Sequence, residues 1–243
     1  MVTISCGEVK FPNIQAVIFD KDGTLEDSQR FLRELGQKRS RLIDAQIPGI
    51  GDPLLMAFGL QDDTIDPTGL MAVGSRRENE IAAAAYIAET GRSWFESLAI
   101  ARSAFAEADQ YLQKSAGTSP LFAGSLEVLK FLAGMGVKLG ILSADSTAAV
   151  EAFIERHELS GHVQLAMGAD LGLAKPDPAL FLAACQALGV EPRSTLMVGD
   201  SQGDIEMARS AGAAGTIGIC WGTSQAAHLE TADAIIDQLE QIH

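Results

Sequence analysis

Residues 14–28 read IQAVIFDKDGTLEDS. The run Ile14 to Phe19 is short, apolar and stops abruptly at charge, which predicts a β-strand ending at Phe19. In an extended stretch residues i and i+2 face the same way. Asp20 and Asp22 are therefore expected to converge on one site while Lys21 points elsewhere, as a snorkelling surface lysine. Two nearby carboxylates repel unless a cation or a proton lies between them. Gly23 then permits a turn and close approach of a ligand to the backbone. Taken alone, the stretch also fits a solvated acidic turn after a strand.

The C-terminal half extends this pattern. Helix-like residues 125–133 lead to a strand over Val137 to Leu142, and a helix over 147–157 leads to a short strand over Val163 to Ala166. Helix 178–188 leads to strand Thr195 to Val198, helix 204–211 to strand Thr216 to Ile219, and a last strand covers Ala234 to Ile236. Alternating short strands and helices predict an α/β protein, a Rossmann-like open parallel sheet. Such sheets bind ligands at the carboxyl ends of their strands. The residues after Phe19, Leu142, Ala166 and Val198 are thus the places to look for chemistry.

Each of those places is polar. Ser143-Ala144-Asp145-Ser146 follows Leu142 and opens a helix, where a hydroxyl and free amides can hold an anion or merely cap the helix. Lys175-Pro176-Asp177-Pro178 offers a lysine on a stiffened loop that starts a helix at Pro178. Gly199-Asp200-Ser201-Gln202-Gly203-Asp204 places a second acid pair after Val198. Hard carboxylate oxygens suit Mg²⁺, although Asp200 or Asp204 could equally cap the helix. Chance capping does not readily generate acid pair, hydroxyl, lysine and acid pair at four strand ends of one sheet.

The interruption between the first strand and the rest is long. Residues 28–118 carry Phe31, Leu32 and Leu35 on one face, an Ala-rich stretch from Arg77 to Thr90 and a further helical stretch from Trp94 to Leu112. They predict an inserted helical bundle, so that 1–27 and 119–243 make one domain and 28–118 another. A length of 243 residues agrees, because at about 150 residues per domain it implies one large domain or one carrying an insertion.

Charge narrows the function classes. The net charge is −14, and the segment 28–118 holds 10 Lys and Arg against 12 Asp and Glu, so most of the acidity lies in the flanks. This argues against nucleic acid and against anionic lipid as partners. An anionic substrate stays open, because a site can be locally positive in an acidic protein. The three cysteines, Cys6, Cys185 and Cys220, show no paired spacing, which points to a reducing, cytoplasmic setting. No stretch approaches the 18 or so apolar residues of a membrane span, and no basic-then-apolar leader is visible at the N-terminus. Arg76 and Arg77, after Gly74-Ser75, are candidates for contact with an anion or simply solvated arginines. His157 and His162 are expected at the surface rather than on a metal, and Trp94 and Trp221 in the core or at its rim.

With these motifs in order, the chain resembles the haloacid dehalogenase-like hydrolase superfamily. FDKDGTLEDS is similar to its first motif, ILSADS to its second, the lysine of KPDP to its third and VGDSQGD to its fourth. The resemblance covers about 12–28 and 120–243, and 28–118 looks like the helical cap of its phosphoglycolate phosphatase and β-phosphoglucomutase-like branch. It implies Asp20 as nucleophile and Asp22 as general acid and base. Ser143, Lys175 and the amides of Asp22, Gly23 and Ala144 would bind phosphate. Mg²⁺ would be held by Asp20, the Asp22 carbonyl and Asp200, with Asp204 close by. Family dehalogenases lack the second acid, so Asp22 favours phosphoryl transfer, with the cap closing to exclude water. The implied activity is a Mg²⁺-dependent phosphatase acting on a small phosphorylated metabolite through an aspartyl-phosphate. A sugar phosphomutase uses the same core, and a catalytically silent phosphometabolite binder would have no need of Asp22. Family members more often carry an apolar residue where this chain has Lys21. Neither the substrate nor the oligomeric state is legible.

Overall fold

The computed structural model describes residues 2–62, 64–115, 119–170, 172–221 and 226–243. The chain divides into two compact units, Met1–Asp27 with Pro120–His243, and Ser28–Ser119. The end expected for the insertion, residue 118, lies outside the described residues.

The first unit opens with a hairpin that the sequence reading missed. Strands β1 (Val2–Cys6) and β2 (Val9–Ile14) pair antiparallel, with Gly7 turning between them at φ +60°. Pro12 cannot donate to a ladder and so reads as an interruption. It is tolerated here because β1 and β2 form a two-stranded sheet of their own. The chain end lies beside β1, where Ser5 N–H donates to the His243 carbonyl at 2.6 Å. Strand β3 (Ala16–Phe19) follows, buried along its length.

The second unit packs α1 (Gln29–Asp44), α2 (Gly51–Ala57), α3 (Leu70–Val73), α4 (Arg76–Glu89) and α5 (Trp94–Ser115). Its core joins Leu35, Ile43, Leu54, Phe58, Ala83, Ala84, Ile87, Ala104 and Phe105. The small residues of α4 and α5 let these two helices approach closely. One correction applies: the segment is not helical throughout. Strands β4 (Leu60–Gln61) and β5 (Thr64–Ile65) form a small antiparallel hairpin, too short to leave a period-2 pattern.

The first unit resumes with α6 (Ser125–Gly134), β6 (Lys138–Leu142), α7 (Thr147–Arg156), β7 (Leu165–Met167), α8 (Pro178–Leu188), β8 (Thr195–Gly199), α9 (Gln202–Ser210), β9 (Gly215–Ile219) and β10 (Ala234–Ile236). The sheet runs β10-β9-β8-β3-β6-β7, and every neighbouring pair is parallel. This is the α/β, Rossmann-like architecture. Side chains alternate across it. Val17 and Phe19 join Val128, Leu132, Val150 and Phe153 of α6 and α7 on one face. Ala16 and Ile18 join Leu180, Phe181, Met207 and Ala208 of α8 and α9 on the other. Because β3 lies between β6 and β8, Asp20 emerges between the strand ends that carry Ser143 and Asp200. Among the described residues no helix is long and apolar enough to cross a membrane.

Candidate active site

Strand β3 holds Asp20 in place: its N–H donates to the Val198 carbonyl at 2.8 Å. Its carboxylate Oδ1 accepts from Lys175 Nζ at 2.5 Å, and the same ammonium lies 2.7 Å from Asp204 Oδ1. Lys175 comes from the loop between β7 and α8. Asp177 caps that helix by accepting from Ala179 N–H at 2.9 Å, and Pro178 occupies its first turn. Lys175 is thus carried on a stiffened loop. Asp200 sits directly after β8, where its Oδ1 accepts from Thr24 Oγ1 at 3.1 Å.

Asp204 does two things at once. Its Oδ2 accepts from Ser201 N–H at 3.2 Å, and from Ser201 Oγ at 2.6 Å, while its own N–H donates to Ser201 Oγ at 3.3 Å. This is a reciprocal capping box with an aspartate in the third position. The capping alternative is therefore realised at Asp204 without excluding its contact with Lys175. On the other flank of β3, the helix-capping alternative falls to Ser146, which accepts from Ala149 N–H. Ser143 stays at the strand end, buried, its Oγ accepting from Asp145 N–H at 3.1 Å. Ala144, beside it, is half-buried.

Gly23 has a backbone reason to be glycine. Its φ is +77°, and a Cβ there would overlap the Asp200 carboxylate. Its N–H donates to the Glu26 carbonyl at 3.0 Å. This amide, expected to face a phosphoryl oxygen, is therefore already engaged within the turn. Gly23 also lets the first loop approach Asp200.

The largest departure concerns Lys21. It does not snorkel or point away from Asp22. It is 6% exposed, and its Nζ lies 2.6 Å from Asp22 Oδ2, 3.2 Å from Asp145 Oδ2 and 3.6 Å from Glu26 Oε2. The alternation rule fails because β3 ends at Phe19 and the chain turns over the next residues, with Leu25 and Glu26 N–H both donating to the Lys21 carbonyl. Beyond a strand end, period 2 no longer decides where a side chain points.

Among the described residues, carboxylate oxygens of Asp20, Asp200 and Asp204 lie within 4.8 Å of one another. The Asp22 carboxylate is not in that group. Burial pushes Asp20 up to about 7, helped by Asp204 and Asp22 and opposed by Lys175. Burial, then Asp20 and Asp204, hold Asp200 well above the carboxylate range. Burial opposes charge on Lys175, but Asp20 and Asp204 outweigh it and keep the ammonium above the ordinary lysine value. Three carboxylates, two of them buried and Asp200 half-buried, thus face one ammonium, a balance short of positive charge. An oxygen-only donor set of this kind fits a hard divalent cation.

Other residues came into view only in three dimensions. Trp221 Nε1 donates to the Gly23 carbonyl at 2.9 Å while its ring stacks on Phe122 at 4.1 Å. His228 Nε2 lies 3.0 Å from the Asp200 carbonyl. Only Thr24 stood inside a motif. His157 is not at the open surface but against Phe153 and 3.5 Å from Glu26 Oε1. In the second unit Arg76 pairs with Glu80 at 2.8 Å and with Asp109, so its charge is offset locally, while Arg77 is exposed.

The chain is similar to known proteins in sequence and fold. A relative from Dickeya dadantii, "Probable phosphatase IndB", is 30% identical over 93% of this chain and 90% of its own length. A phosphoglycolate phosphatase from Rhodospirillum rubrum is 32% identical over 82% of this chain and 76% of its own. The fold matches a crystal structure of "a predicted phosphoglycolate phosphatase" from Haemophilus somnus with a TM-score of 0.68, 24% identity and 96% of each chain covered. The model of one family, "haloacid dehalogenase-like hydrolase", matches residues 14–212. With that match, the chain belongs to the haloacid dehalogenase-like hydrolases.

Proposed function

We propose that this phosphatase hydrolyses a small phosphorylated metabolite through an aspartyl-phosphate formed on Asp20. The observation that carries the reading is the Asp20 carboxylate at the end of β3, 2.5 Å from Lys175 Nζ and grouped with the oxygens of Asp200 and Asp204. In the first step an Asp20 oxygen bonds to phosphorus as the ester P–O bond breaks, and Asp22 gives its proton to the departing oxygen. In the second, Asp22 takes a proton from water as the water oxygen attacks phosphorus and Asp20 leaves. One difficult displacement thus becomes two easier ones.

Charge is the obstacle. A carboxylate about 4 Å from one phosphate charge is repelled by roughly 4 kcal/mol at an effective dielectric near 20. Lys175 offsets part of this from its position on Asp20. Ser143 and the amides of Asp22 and Ala144 are the donors proposed for the phosphoryl oxygens. The proposed cofactor is Mg²⁺, held by Asp20, Asp200 and the Asp22 carbonyl with Asp204 beside them. When bound it supplies positive charge against the phosphoryl oxygens. We assign the chemistry to 1–27 and 119–243, and substrate choice to 28–118 as the cap.

The test is hydrolysis of p-nitrophenyl phosphate with Mg²⁺ and with EDTA, beside Asp20→Asn. Activity that needs Mg²⁺ and is lost in the variant is expected. Full activity surviving either change overturns the proposal. Phosphate migrating within a sugar phosphate without release would instead indicate a phosphomutase.

A further inference from the structure

We propose that Lys21 is a positioning residue that holds the Asp22 carboxylate in place for proton transfer. The inference rests on the phosphatase reading above, in which Asp22 is the acid and base. Lys21 gathers three carboxylates onto one ammonium: Asp22 at 2.6 Å and Glu26 at 3.6 Å from its own turn, and Asp145 at 3.2 Å from a distant part of the chain. Asp145 belongs to the loop after β6, two residues beyond Ser143. Glu26 is tied in turn to Arg156 of α7, whose Nη1 lies 3.1 Å from Glu26 Oε1. The anchor has a fixed base as well as a fixed head, because the Lys21 carbonyl accepts two N–H groups of the turn, each at 3.0 Å.

The cage is nearly dry on the Lys21 and Glu26 sides, with side-chain exposures of 7% and 4%, while Asp22 keeps 19%. A surface lysine pair is worth little because both side chains remain free to move. Here Lys21 is buried, bonded to Asp22 and paired with Asp145 and Glu26, although Asp145 is half exposed, so the rotamer of Asp22 is held through it. Burial opposes charge on Lys21, but Asp22, Asp145 and Glu26 outweigh it and keep the ammonium charged. A proton must reach the leaving oxygen as the P–O bond breaks, and misplacing the donor by about 1 Å costs about 100-fold in rate.

Leaving-group dependence separates positioning from general support. An alkoxide needs the proton from Asp22, whereas p-nitrophenolate departs without it. We therefore compare p-nitrophenyl phosphate with the best of a panel of small alkyl phosphates, glycerol phosphate among them, for wild type and Lys21→Met. Both rates are read on one preparation, so a reduced folded fraction cancels in their ratio. The alkyl-to-aryl ratio of kcat/KM, which reports formation of the phospho-enzyme and so excludes the shared hydrolysis step, is expected to fall by about 30-fold or more, and Lys21→Arg should recover part of it. Lys21→Met removes a buried cation from among three acids. If it does not fold, the double variant Lys21→Met/Glu26→Gln, which removes one charge of each sign, takes its place with the same expectation.

An unchanged or increased ratio overturns the inference, which includes an equal loss of kcat/KM on both substrates. So does a wild type that turns over aryl but no alkyl phosphates. Those outcomes leave Mg²⁺-dependent, Asp20-dependent hydrolysis of the aryl ester intact. Failure of the phosphatase reading itself would appear as a wild type inert toward both substrates.

Discussion

Replacing Gly23 with alanine tests whether the close approach of the first loop to Asp200 matters for turnover. The structure gives two separable costs. The first is conformational: φ is +77°, and a side chain in this left-handed region costs about 1–2 kcal/mol. At about 2–4 °C per kcal/mol for a chain of this size, the Tm should fall by about 2–8 °C. The second is steric. An ideal Cβ would stand 2.7 Å from Asp200 Cγ and nearer still to Oδ2, whereas carbon atoms in contact sit at about 3.5–4.0 Å. The Asp200 carboxylate must therefore shift by about 1 Å, which disturbs its bond to Thr24 and its place among the oxygens of Asp20 and Asp204. A displacement of that size costs about 100-fold in kcat/KM. Gly7→Ala is the matched control, since Gly7 has φ +60° and nothing within 4 Å of an added Cβ. It should lower the Tm similarly and leave hydrolysis unchanged. Thermal melts and p-nitrophenyl phosphate kinetics on the two variants decide the matter. Gly23→Ala within threefold of wild-type activity would refute the reasoning, as would a Gly7→Ala loss of the same size.

Two further outcomes follow from local chemistry. Ser201→Ala removes the cap of α9 and the hydroxyl bound to Asp204, so stability should drop by about 1–2 kcal/mol in a denaturant titration, together with a fall in kcat. Cys6 is buried, and burial pushes its thiol up to about 12. A raised thiol pKa means little thiolate below that value, so iodoacetamide at pH 8 should leave Cys6 unmodified in the native protein and label it in denaturant, read by peptide mass spectrometry.

The sheet was legible because buried parallel strands are short apolar runs that end in charge. Ala16 to Phe19 and Thr195 to Val198 carry that signature almost unaided, although Ile14, expected in the first of these strands, pairs in β2 instead. The β1–β2 hairpin was not, because Pro12 and the positive φ of Asn13 break any alternation. The polar clusters at four strand ends could be read because an open parallel sheet brings those ends together, whatever their separation in sequence. Lys175 meets Asp20 across 155 positions. Lys21 was misread because alternation was carried past the end of its strand into a turn. Trp221 was expected in the core or at its rim, but its partner had no local signal: the bond to the Gly23 carbonyl spans 198 positions, and only the folded chain supplies it.

The central claim is that Asp20 becomes covalently phosphorylated during turnover. Rapid acid quench of the enzyme with substrate, followed by peptide mapping, tests it directly. The account predicts a hydroxylamine-labile phosphoryl group on the peptide containing Asp20, present in wild type during turnover and missing in Asp20→Asn. Turnover with no phosphorylated enzyme at any quench time, or a phosphorylated peptide that does not contain Asp20, would contradict it.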